Sequence, residues 1–67
     1  MNKRAIRGFL EMYGNNYREK REKAKLKQIE VAKIIGCSQA IIGHIECGYM
    51  LPPENIEKAL NEIYEEI

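Results

Sequence analysis

Apolar residues in this chain recur every three or four positions and almost nowhere in strict alternation. That period belongs to helices buried along one side. Ile6, Phe9, Leu10 and Tyr13 predict an amphipathic helix from about Lys3 to Tyr13, with Asn2 as N-cap and Gly14 as its stop. A second helix is expected from Asn15 or Asn16 through "YREKREKA", with Tyr17 and Ala24 on one face. "QIEVAKII", residues 28–35, places Val31, Ala32, Ile34 and Ile35 at apolar spacing, and Gly36 ends it as a left-handed residue. Ser38 then caps a fourth helix, 39–47, which Gly48 ends. "YMLPP" reads as an extended link, and Pro53 suits the first position of a last helix. There Ile56, Leu60, Ile63 and Ile67 form a stripe fit for burial. The expectation is an all-α domain of five helices over residues 1–67. It comprises an extra N-terminal helix (1–14), a paired-helix unit (28–47) and a C-terminal helix (53–65).

Size and charge change this picture in two ways. A chain of 67 residues buries only about 60% of its unfolded surface, so a partner, often a second copy, is expected. Charge is split along the chain. Residues 1–33 hold ten Lys or Arg and four Glu, while residues 34–67 hold one Lys and six Glu. Such a split suggests a polyanion on one side and something else on the other. Cys37 and Cys47 bracket one helix, roughly 15 Å apart at the helical rise, too far for a disulfide. Reduced thiols and the lack of a secretory leader or membrane-length apolar run fit a cytoplasmic protein without membrane partners. Cys37, His44 and Cys47 do not complete a tetrahedral metal set. No metal, cofactor or enzymatic activity is expected, since no nucleophile–base pair or phosphate-binding glycine loop is present.

Two short helices, 28–35 and 39–47, joined by the glycine-containing turn "GCS", match a helix-turn-helix. Ala32 is small where the helices cross, Gly36 can take positive φ, Cys37 acts as a small hydrophobe, and Ile42 and Ile45 supply an inner face.

"YREKREKAKLKQIEVAKIIGCSQAIIGHIECG" resembles the DNA-binding domain of the phage lambda-type repressor/Cro (XRE-like) family. The resemblance is carried by Gln28, Ala32, Gly36, Ser38, Gln39, Ile42, Ile45, Glu46 and Gly48, and leaves residues 1–14 uncovered. It implies that Gln39 reads a base, as a glutamine amide can pair with adenine N6 and N7. Ala40, Gly43 and His44 take the other outward positions of the recognition helix. Gln28 corresponds to a phosphate-binding glutamine, and Arg21 with Glu46 to a buried ion pair. Lys27, Lys33, Arg18 and Ser38 are further phosphate candidates, with Lys3, Arg4 and Arg7, because phosphate contacts position the protein while base contacts specify. The chain departs from its relatives in a recognition helix without Lys or Arg and a following loop "YMLPPEN" that also has none. Residual apolar exposure is expected at Ile41, Tyr49, Met50 and Leu51.

The function expected is a regulator of transcription, a small repressor of phage or mobile-element type, bound as a homodimer to an inverted repeat in double-stranded DNA. Ile63, Tyr64 and Ile67 are the first candidates for the dimer surface, with the N-terminal helix as the second. The alternatives are an interaction module for a regulatory protein partner, or an antitoxin, built on the same fold.

Overall fold

A computed structural model describes residues 3–65, with side chains for 8–65. Asn2 and Ile67, and the side chains of Lys3, Arg4, Ile6 and Arg7, lie outside the described residues. Four helices follow one another: α1 (Lys3–Lys23), α2 (Gln28–Ile35), α3 (Gln39–Glu46) and α4 (Glu54–Glu65).

The count is four rather than five because the first two expected helices are one. Gly14 does not stop α1, and Asn15 and Asn16 lie inside it rather than capping a new helix. The glycine is needed for another reason. A Cβ on Gly14 would fall against the Ile45 carbonyl oxygen and 2.6 Å from that of Glu46. Only a residue without a side chain lets the end of α3 come this close, which costs α1 about 1 kcal/mol relative to Ala. The helix ends instead at Lys23, followed by Lys25 in the left-handed region at φ 61°, with the Leu26 N–H donating to the Arg21 carbonyl at 3.2 Å.

The other elements follow local chemistry closely. Gly36 adopts φ 88° after α2, and the N–H groups of Gly36 and Cys37 both donate to the Ala32 carbonyl, at 2.8 and 3.0 Å. At the start of α4, Pro53 sits one residue outside the helix, its carbonyl accepting the first helical bond from Glu57 N–H at 2.8 Å.

The core draws on all four helices: Tyr17, Val31, Ala32, Ile42, Ile45, Ile56 and Leu60. Burial of a side chain such as Ile42 or Leu60 contributes about 1.5–3 kcal/mol. Tyr13 bridges α1 to α4 by donating to Glu57 Oε1 at 3.0 Å, and its hydroxyl lies 3.4 Å from that of Tyr17. Several apolar positions do not follow the sequence reading. Phe9 and Ile34 stand in solvent, whereas Ile41 and Met50, expected at the surface, pack against the core. Ile63 and Tyr64 also pack partly against it. No described helix is long and apolar enough to cross a membrane.

Candidate nucleic-acid interface

Helix α3 is held by its inner face and its far end. Ile42 and Ile45, three residues apart, are buried, and Glu46 is the one charged residue buried among those described. Arg21 reaches across from α1 to meet it. Its Nε donates to Glu46 Oε2 at 2.8 Å and its Nη2 to Oε1 at 3.1 Å, while Nη1 donates to the Leu26 carbonyl at 2.9 Å. This two-pronged geometry is the strong form of a charge-assisted hydrogen bond. The bonds to Glu46 hold the Arg21 guanidinium above its ordinary pKa. A paired and hydrogen-bonded carboxylate is tolerated in the interior where a lone one is not.

Glu46 has a third partner. Gln28, at the start of α2, donates from Nε2 to Glu46 Oε1 at 3.1 Å. Its other amide atom, Oε1, accepts from Gln39 Nε2 at 3.5 Å. A Cβ added to Gly43 would lie 3.6 Å from the same oxygen, so Gln28 runs along α3 beside Gly43. Arg21, Glu46, Gln28 and Gln39 thus form one chain of hydrogen bonds from the interior to the exposed first residue of α3. The bond to Gln28 uses one N–H of the Gln39 amide; the other N–H and the Gln39 oxygen remain to face outward, a donor beside an acceptor.

Around this chain the structure groups some expected residues and separates others. Gln39, Ala40 and His44 are exposed and Gly43 half-buried along one side of α3. Ser38 takes extended backbone angles at the N-cap, but its hydroxyl makes no capping bond. Its carbonyl accepts from Ile41 N–H at 3.2 Å instead. Lys27 is exposed one residue before Gln28, its backbone N–H donating to Glu30 Oε1 at 2.9 Å. Lys33 is exposed toward the other end of α2. Arg18 lies on α1, loosely paired with Glu22 at 4.0 Å.

Two features went unread in the sequence. The His44 ring packs edge-on against Tyr49 with centroids 5.8 Å apart, and the Tyr49 N–H donates to the His44 carbonyl at 2.9 Å. Gly48, at φ 80°, presses on α1 so closely that a Cβ would sit 2.8 Å from Glu11 N and 2.9 Å from the Leu10 carbonyl carbon. Gly14 on α1 and Gly48 after α3 therefore give each other's backbone room. Gly48 was legible from the sequence as the end of α3; its neighbour was not, since nothing local distinguishes a glycine kept for contact from one kept for a turn.

Residues 18–63 match a family model described as helix-turn-helix. A search of curated proteins finds no match.

Proposed function

The chain belongs to the helix-turn-helix family of the lambda repressor/Cro type, whose members are DNA-binding regulators of transcription, and from that premise we propose that it reads a specific duplex sequence with the N-terminal half of α3. The observation that carries the reading is the hydrogen-bonded chain ending at Gln39. An exposed amide tethered on one N–H presents the donor and acceptor that adenine N7 and N6 require. Without that tether a glutamine side chain at a surface would lose conformational freedom on binding, at a cost of about 1–2 kcal/mol. Ala40, Gly43 and His44 lie against neighbouring bases. Lys27, with Ser38 and the remaining N–H of Gln28, takes phosphate oxygens, and Arg18 and Lys33 contribute to the surrounding positive field.

The active species is a two-fold dimer on an inverted repeat, repressing transcription by occupying the site. Selection of bound duplexes from a random pool, at two salt concentrations, tests the reading. An enriched inverted repeat with conserved A·T pairs in each half is the expected result. A pool that stays random while binding vanishes with salt would leave only non-specific attraction.

A further inference from the structure

The end of α3 closes in a way that sets a side chain from outside the helix beside its outward face. Gly48 N–H donates to the Ile45 carbonyl at 3.2 Å and Tyr49 N–H to the His44 carbonyl at 2.9 Å. With Gly48 at φ 80°, this pair of bonds is the Schellman ending of a helix, in which the residue after the glycine folds back over the last turn. Gly48 is itself buried and pressed against the α1 backbone at Leu10 and Glu11. The backbone at Tyr49 is therefore fixed from two sides, by α3 and by α1. Its ring lies against that of His44, with centroids 5.8 Å apart and planes at 63°. Neither ring serves the core: both residues are exposed, Tyr49 at 70%.

An exposed histidine on a helix ordinarily moves among staggered rotamers. A neighbouring ring on a fixed backbone favours the rotamer in which the two rings meet edge to face. The two nitrogens of imidazole are distinct, so which of them faces a base decides what can pair with it. We propose that Tyr49 is a positioning residue for base reading: it holds the His44 ring in one orientation, and so sets the preference at the base pair His44 meets. The arrangement repeats the one at the other end of the same face, where Gln28 holds Gln39. A recognition helix without Lys or Arg has little charge to draw it to DNA. Both of its polar readers are instead held by a neighbour before binding, so less freedom is lost on contact. The inference rests on the reading of α3 as the base-reading helix and adds to it a residue beyond that helix.

Selection from a random duplex pool with His44→Ala first identifies the base pair at which preference is lost. Tyr49→Ala then lowers discrimination at that same pair by about two- to tenfold, and leaves the preference at the pair read by Gln39 intact. The double variant loses no more than His44→Ala alone, the non-additivity of two residues acting through one contact. Tyr49→Phe keeps the ring and keeps the discrimination. In the unbound protein the NMR signals of the His44 ring move in Tyr49→Ala and stay in place in Tyr49→Phe, while circular dichroism shows the variants equally helical. Should Tyr49→Ala unfold, Tyr49→Leu keeps an apolar contact at the helix end without the ring and is read in the same way. Uniform weakening on all duplexes with discrimination intact makes Tyr49 a helix stop or a backbone contact and overturns the proposal. So do additive losses in the double variant, or a His44→Ala protein with the parent's preferences. A parent pool that stays random is a different failure: it removes the base-reading premise, and the role of Tyr49 with it.

Discussion

The two ends of α3 are built to opposite requirements. At its start, Gln39 and Ala40 are exposed and the Ser38 hydroxyl makes no capping bond. At its finish, Ile45 and Glu46 are buried, Glu46 takes hydrogen bonds from Arg21 and Gln28, and Gly48 is pressed onto α1. One end is left free to meet a ligand; the other carries the anchoring. The difference shows how a helix of only 8 residues, too short to be stable alone, can offer its polar end in a fixed direction. The rigidity comes from packing behind it and from the one hydrogen-bonded path that runs forward to Gln39.

Breaking the anchored end should have the largest effects. Arg21→Ala strands the Glu46 carboxylate in the interior and should cost about 3–5 kcal/mol. Thermal melts should show the variant largely unfolded at 37 °C; an unchanged melting temperature would mean the pair contributes nothing. Gly14→Ala pushes a methyl group into the α3 backbone and should cost about 1–3 kcal/mol through overpacking, despite the better helix propensity of alanine. A control at Gly8, where a Cβ meets nothing within 4 Å, should gain stability instead.

The free end should behave in reverse. Gln39→Ala should leave the melting temperature within experimental scatter and weaken binding to the selected duplex by about 1–3 kcal/mol, with preference lost at one base pair per half-site. Titrations against duplexes varied at each position would detect this. Lys27→Ala should weaken all sequences alike and reduce the slope of log K against log salt by about one.

The smallest effect concerns alkaline pH. Burial pushes the Tyr64 hydroxyl up to about 12 and raises that of Tyr17 further. Both start from an ordinary 10.0 in the unfolded chain. A raised acid binds its proton more tightly in the folded state, so stability is full below pH 10 and falls as pH climbs toward 12. The Tyr64 hydroxyl is buried with no hydrogen-bond partner among the described residues. Tyr64→Phe should therefore be neutral or slightly stabilising at pH 7 and should soften the loss between pH 10 and 12, as followed by denaturant midpoints.

The same contrast governs what could be read from sequence. Helices α2 and α3 were legible nearly to the residue because their signals are local: apolar spacing, the turn glycine at Gly36 and the break at Gly48. The Arg21–Glu46 pair was reachable only through the family resemblance, since 25 residues separate the partners and no periodicity links them. The join within α1 was misread for the complementary reason. Gly14 followed by two asparagines has the local chemistry of a stop and a cap, and the cause of the glycine lies in the α3 backbone it touches. Phe9 was expected to be buried with Leu10 and Tyr13 because it falls at their spacing, yet α1 turns its Leu10, Tyr13, Gly14 and Tyr17 side inward. In the interface, residue types were readable and their connections were not. The chain from Glu46 through Gln28 to Gln39 depends on how closely α2 and α3 cross.

The unbroken course of α1 sets a rule for how this chain could change length. Gly14 and Arg21 are seven residues apart on one helix, and both serve the same residue: the first admits the Glu46 carbonyl and the second binds its carboxylate. A single residue inserted between them would turn one grip about 100° away from the other and shift it by about 1.5 Å. Even seven residues, which restore the rotation, would carry one grip about 10 Å along the axis from the other, so no insertion or deletion there should be tolerated. The link at residues 24–27, which no helix spans, should accept one or two extra residues with little loss. A library of length variants, sorted for folding, would show the two segments as a forbidden stretch and a permissive one lying side by side.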